Sequence, residues 1–310
     1  MKGGHASGAA LDRGFEALCF GAASLLLMAL GGVVVSLFIG GWPALERFGP
    51  AFLTSAAWNP VAEDYGAAGA VAGTLATSAI ALLLALPLAA GVAIFLTELC
   101  PAPLRRPIGI AVELLAGIPS IVYGMWGLFV FAPWFAKHVQ APVAAAAPED
   151  TIWATVTAGP PNGAGVLSAS IILALMILPF IAATLRELLT TIPAHVRESA
   201  YGLGSNTFET VRRVSLPYIR RGAVGAVMLG LGRALGETMA VTFIIGNAHG
   251  LPTSVFASGS TIASTIANEF AEATGELHTA TLMALGLVLF VITFAVLALA
   301  RLLIGSQAHP

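Results

Sequence analysis

The sequence predicts an all-α integral membrane protein with six transmembrane helices and both ends on the cytoplasmic side. Three observations lead there. Hydrophobic residues make up 57% of the 310 residues and charged residues only 10%, whereas soluble domains carry about a quarter charged residues. Runs of about twenty apolar residues, the length a helix needs to cross ~30 Å of hydrocarbon, recur along the chain. Lys and Arg gather at alternate ends of those runs, and positively charged loops stay in the cytoplasm.

The runs fall at about 17–41, 70–96, 108–133, 166–185, 222–246 and 279–303. The first is too long and unbroken for the apolar part of a secretory leader, and no convincing cleavage site follows it. It is expected to remain as an anchor. Lys2, Arg13, Arg105, Arg106, Arg186, Arg197, Arg212, Arg213, Arg220, Arg221 and Arg301 lie at one set of ends, against only Arg47 and Lys137 at the other. Loops at about 42–69, 134–165 and 247–278 are therefore expected outside. The last of these carries Glu269, Glu272 and Glu276 and no Lys or Arg.

Residues 1–66, the first span and its outer loop, stand apart from a block of five spans at 67–305, followed by a short tail at 306–310. The outer segment 140–165, with its Pro160-Pro161-Asn162-Gly163 turn cluster, reads as a surface excursion with little helix. Pro87, Gly117-Ile118-Pro119 and Pro179 interrupt the apolar runs, which neighbouring helices can accommodate. Gly222, Gly225, Gly230, Gly232 and Gly236 make the fifth span rich in small residues. Small residues allow close helix approach, so this span is expected at the crowded centre.

The basic link at 186–221 reads as two short helices. Pro193 opens the first, since its missing N–H costs nothing at a helix start. Gly202 and Gly204 allow a sharp turn, Asn206 caps the second helix with Glu209 completing a capping box, and Pro217 is expected to end it. Arg212, Arg213, Arg220 and Arg221 are explained by the charge rule alone and receive no catalytic role.

Several chemistries are excluded. A net charge of −2 gives no electrostatic footing for nucleic acid. Cys19 and Cys100 lie too far apart to pair. His5, His138, His195, His249, His278 and His309 are scattered over both sides, which argues against a metal site. Neither Lys2 nor Lys137 sits in a phosphate-binding loop, so this chain does not hydrolyse ATP by that route.

Two charges remain inside the membrane. Arg233 and Glu237 are four residues apart and share a helix face. An Arg at mid-bilayer costs at least ~2.5–3.5 kcal/mol, so such residues face a cavity or a partner. Either the two neutralise each other, or Arg233 offers its planar fork to an oxyanion on an aqueous path. In the second case Thr238 and Thr242 supply hydroxyl donors. Glu113, near the cytoplasmic side, is accounted for by snorkelling or pairing.

Glu198-Ser199-Ala200, three residues, Gly204, nine residues and then Val214-Ser215-Leu216-Pro217 resembles the signature of ABC-importer permeases. Ser199 stands where that pattern has Ala, and Val214 where it has Ile. The run from Gly230 to Thr242, followed by Gly246-Asn247, resembles the fifth span of PstC-type phosphate permeases, and Glu113 to Gly124 is similar to their third span. The companion permease type, PstA, shares the Gly-Glu-Thr step but departs from Met239-Ala240-Val241-Thr242.

The resemblance covers about 67–305 and implies a type I ABC-importer permease, a MetI-like core of five spans plus an N-terminal span. It implies a bacterial inner-membrane heterodimer with a PstA-like permease, two copies of a PstB-like ATPase that uses ATP and Mg, and a PstS-like periplasmic phosphate-binding protein. This chain itself would hold no cofactor and no catalytic residue. Phosphate would enter the cytoplasm by alternating access, with Glu198, Ser199, Ala200, Gly204, Leu216 and Pro217 in the ATPase-coupling loop and Arg233, Glu237, Thr238 and Thr242 on the substrate path. A permease for molybdate or sulfate is the alternative in the same class. A secondary transporter or channel is the alternative from another class, but neither has a use for the coupling loop.

Overall fold

The computed structural model describes residues 4–148 and 151–305, with side chains within 12–302. Lys2, the tail at 306–310 and the ring of His5 lie outside the described residues. Among the described residues four helices are long and apolar enough to cross a membrane: Asp12–Phe48 within α1 (Gly4–Phe48), Ala68–Leu99, Val166–Thr190 and Glu276–Leu302. After α1 comes a one-turn helix, α2 (Ala51–Thr54), and then a two-stranded antiparallel hairpin, β1 (Trp58–Asn59) with β2 (Asp64–Tyr65). The hairpin is the one departure from all-α structure among the described residues.

The second span is α3 (Ala68–Ile94), ending in a π-helical turn at Phe95–Leu99. The expected third span is not one rod. α4 (Ala102–Ala116) and α5 (Ser120–Ala146) meet at 87°, so together they form at most one bent crossing. Gly117 takes the C-cap of α4, and Pro119, extended at φ −57° and ψ 137°, starts α5. A proline lacks the N–H that would continue the ladder and pushes the preceding residue out of helix.

The expected surface excursion at 140–165 is also more structured than its composition suggests. α5 runs on to Ala146, α6 (Ile152–Val156) follows, and Gln140 is fully buried with Oε1 accepting the Gly163 N–H at 2.8 Å.

α7 (Val166–Thr190) is the fourth span and the true centre of the bundle, with two-thirds of its apolar window buried. Ala81, Ala85, Ala89 and Ala93 place an i, i+4 stripe of methyl groups from α3 against Ile172, Leu173, Ile177 and Ile181. That overturns the expectation of a glycine-rich fifth span at the centre. There only Gly222 and Gly230 press on α7, against Leu188 and Ile181, while Gly225 meets open space. Glycine content reports how closely a neighbour can approach, not which face has one.

Two short helices, α8 (Ala194–Gly202) and α9 (Thr207–Thr210), form the basic link. α10 (Leu216–Leu235) and α11 (Met239–Ile244) then divide the expected fifth span at Gly236-Glu237-Thr238. α10 carries Arg220, Arg221 and Arg233, so it is no uninterrupted apolar crossing; among the described residues four helices are clear spans by length and composition, the bent α4–α5 pair can make a fifth, and α10–α11 is the remaining segment of the expected six. α12 (Ile262–Glu269) lies inside what looked like an outer loop, and α13 (Glu276–Gly305) is the last span.

A second core joins the C-terminal half of α1 to this block. Ala44, Phe52, Tyr65, Ala67 and Ala70 pack with Ile262, Ala280, Leu282 and Leu285. The Thr74 hydroxyl, donating to Ala70 C=O at 2.7 Å, also accepts the Ile262 N–H at 2.9 Å and so fixes the start of α12 against α3.

Candidate translocation site and coupling loop

In the basic link at 193–209 the local sequence chemistry is realised closely. Pro193 precedes α8 with an extended backbone. Gly204 has φ +87°, and the Ser205 N–H reaches Ala200 C=O at 3.2 Å while the Gly204 N–H reaches Tyr201 C=O at 2.9 Å. This pair of bonds is a Schellman closure, which needs a left-handed residue at that position. Asn206 Oδ1 accepts from Glu209 N–H at 2.9 Å and Glu209 Oε2 accepts from Asn206 N–H at 3.1 Å, completing the capping box.

Glu198 and Ser199 are exposed, Ala200 is buried, and the Ser199 hydroxyl donates to His195 C=O. Pro217 does not end the second helix. A π-helical turn at Val211–Ser215 precedes Leu216 and Pro217, and the chain continues helically to Leu235. The wide turn absorbs the carbonyl that a proline ring would strike.

Two apolar residues that pattern-matching overlooked stand out on this loop. Leu203 is 89% exposed and Phe208 69% exposed. Their signal in the sequence is an apolar side chain on each side of a glycine turn in an otherwise polar stretch.

Roughly 24 Å along α10, at 1.5 Å per residue, lies the second site. Arg233 is exposed, and among the described residues it forms no ion pair with Glu237, whereas Arg47–Glu63, Arg186–Glu113 and Arg197–Glu98 do pair. Glu237 turns instead to the start of α11, where Oε1 accepts the Ala240 N–H at 3.2 Å. The reason is local: helix ends at Leu235, so the i, i+4 geometry that would have joined the two side chains no longer exists.

Thr242 donates to Thr238 C=O at 2.7 Å, Thr238 makes a long 3.4 Å contact to Gly236 C=O, and Asn247 Nδ2 donates to Thr242 C=O.

The break in α10–α11 faces the bend between α4 and α5. A Cβ on Gly124 would lie 2.9 Å from the Phe243 ring and 3.0 Å from Ala240 Cα, so only a glycine lets α5 lie against α11. Tyr123 spans the bend by donating to Leu115 C=O at 3.0 Å. Tyr123 is a residue that sequence reasoning did not single out, although its motif was noted. The structure thus brings together the two segments, 113–124 and 230–247, that looked distinctive in isolation.

Glu113 is paired, with Oε1 3.0 Å from Arg186 Nη2. The histidines are not all scattered. His249, after α11, and His278, at the start of α13, converge on Glu269 at 3.2 and 2.8 Å, and the Trp58 indole N–H donates to the same carboxylate at 2.9 Å. Trp58 stacks on His249 and Tyr65 on His278. Among the described residues no three His, Cys, Asp or Glu side chains are arranged to hold a metal ion.

Residues 89–306 match the family described as binding-protein-dependent transport system inner membrane component. The phosphate transport system permease protein PstC of Mesorhizobium japonicum is 58% identical over 290 residues, covering 94% of this chain and 89% of that protein. PstC of Pasteurella multocida is 52% identical, covering 91% and 88%.

Among solved structures, a chain of a bacterial ABC transporter involved in import of the acidic polysaccharide alginate superposes with a TM-score of 0.60 at 14% identity, covering 96% of this chain and all of that one. A chain of the MetNI methionine ABC transporter, in an inward-facing conformation, gives a TM-score of 0.55 at 16% identity over 76% of this chain and 94% of that one. The fold is that of an ABC-importer permease, and the chain belongs to the binding-protein-dependent transport inner membrane component family, among its PstC permeases.

Proposed function

We propose that this chain is one of two permease subunits of an ATP-driven importer, and that it carries inorganic phosphate across the bacterial inner membrane by alternating access. The observation that carries the reading is the separation of Arg233 from Glu237. A guanidinium exposed beside a broken helix, with no carboxylate paired to it among the described residues, is set to receive an oxyanion. The relatives named for phosphate favour that anion over molybdate or sulfate, and the loop at 194–217 favours an ATPase-driven machine over a secondary transporter or channel.

Arg233 attracts the anion and Glu237 reads its proton, because phosphate near neutral pH keeps a P–OH donor that sulfate lacks. Thr238 and Thr242 shape the wall between them. Outside the membrane a PstS-like protein delivers phosphate. Below it a pair of PstB-like ATPases, using ATP and Mg, docks on Glu198, Ser199, Ala200 and Gly204, with Leu203 and Phe208 as apolar anchors and Leu216 and Pro217 carrying the movement into α10. A PstA-like permease completes the path, six helices cross the bilayer in each copy of this chain, and both ends lie inside.

The test is uptake of labelled phosphate by sealed vesicles containing all four kinds of subunit. ATP-dependent uptake that needs this chain and is not competed by sulfate is expected. Uptake undiminished without this chain, or equal transport of sulfate, overturns the reading.

A further inference from the structure

The helix that bears Glu198 is tied to the bundle by a charged joint. Arg197 Nη2 donates to the Leu189 carbonyl at the end of α7, and its Nε lies 3.5 Å from Glu98 Oε1. Glu98 sits in the π-helical turn at Phe95–Leu99 that closes the second span. The pair is largely out of water, with the Glu98 side chain 6% exposed and that of Arg197 22% exposed.

It is nonetheless not seated. A charge-assisted hydrogen bond between such groups closes to about 2.7–2.9 Å, and neither Glu98 Oε1 nor Arg197 Nε has any hydrogen-bond partner. A buried carboxylate and a partly buried guanidinium in contact without a hydrogen bond between them are poorly stabilised, and a small displacement changes their energy steeply in either direction. Bringing α8 toward the second span by less than about 1 Å would seat the bond. Drawing it away would leave the buried Glu98 carboxylate without its partner. The joint therefore responds to the position of α8.

Its surroundings allow that movement. A cavity of about 980 Å³ adjoins the pair and is lined also by Arg105, Arg106, Arg186 and Glu198. The π-turn carrying Glu98 has already left the regular hydrogen-bond ladder, as such turns do at functional places. Resting on the reading of 194–217 as the ATPase dock, we propose that Glu98 and Arg197 are positioning residues that transmit displacement of the docked loop to the second span, and so link ATP hydrolysis to opening of the path.

The full transporter in vesicles tests this, with phosphate taken up per ATP hydrolysed as the readout. Glu98→Gln and the double replacement Glu98→Leu, Arg197→Leu are expected to keep the ATPase bound and hydrolysing while uptake per ATP falls about tenfold, in the range of ordinary coupling factors. The exchange Glu98→Arg, Arg197→Glu is expected to recover part of the loss. Wild-type uptake per ATP in the Gln and double-Leu variants overturns the proposal. So does failure of both variants to retain the ATPase, which would make the pair a structural brace. Gly204→Val serves as the control for the dock. If that variant also retains and stimulates the ATPase fully, the docking reading has failed, whereas dissociation there with unchanged coupling in the Glu98 variants removes only the joint.

Discussion

At the scale of single residues, the contrast between Arg233 and Glu237 decides how they should be tested. Because Glu237 Oε1 accepts the Ala240 N–H, Glu237→Gln keeps an oxygen for that bond and removes only the charge. It should leave assembly intact while relaxing discrimination against sulfate, measured as competition in phosphate uptake. Glu237→Ala loses the bond as well and should further destabilise the start of α11 by about 0.5–2 kcal/mol, as for a lost helix cap. Arg233→Gln should lower uptake about ten- to hundredfold, the equivalent of one hydrogen bond to a charged group at ~1.5–3 kcal/mol. If the two charges mattered only to each other, the double Gln variant would transport normally. Uptake at wild-type rate by that variant would end the pathway role for both.

The elements carry their own predictions. Gly204 closes α8 with φ +87°, a conformation that costs a β-branched residue on the order of 1–3 kcal/mol. Gly204→Val should insert normally in the membrane yet fail to co-purify with the ATPase, and Glu198→Lys should weaken the same association through charge alone. Full retention of the ATPase by both would count against the dock. Beside the β1–β2 hairpin, Glu269 holds Trp58, His249 and His278 together. Glu269→Ala should loosen the hairpin by about 2–3 kcal/mol, as loss of hydrogen bonds to a charged acceptor does, with faster proteolysis near residues 58–65 and unchanged helix content.

Tyr65 adds a pH dependence, since burial first, and then the charges of Glu63 and Glu269, hold its phenol above the ordinary value of 10.0. A group whose pKa is raised on folding gives its full contribution below the unfolded value and loses it as pH climbs through the folded one. Trp58 fluorescence should therefore report loosening of the hairpin above about pH 10, and Tyr65→Phe should abolish that transition.

At the scale of the whole molecule, topology is the statement most open to a direct check. Asn162 and Asn206 are both exposed in the folded chain, and the distribution of Lys and Arg puts them on opposite sides of the membrane. A cysteine at 162 should react with an impermeant reagent from the periplasmic side and one at 206 should not. The reverse pattern would invert the protein and remove the ATPase dock from the cytoplasm.

The sequence by itself determined what depends on composition and on residues within a few positions of one another. The membrane class follows from apolar length, the Schellman turn and capping box at 202–209 from glycine and short-range side-chain chemistry, and family membership from whole motifs read together. It did not determine the kink at Gly117–Pro119, the passage of helix through Pro217, the buried place of α12 or the centrality of α7. Each of these depends on which neighbour meets a given face, and that is a property of the packed bundle. The same holds for the sites. Spacing along the chain left open whether Arg233 and Glu237 pair, and they do not, because the helix ends at Leu235 and Glu237 lies in the break after it, while Glu98 and Arg197, ninety-nine positions apart in sequence, meet because the start of α8 lies beside the end of the second span. Charges at helical spacing pair only if the helix is continuous, and only the tertiary structure says whether it is.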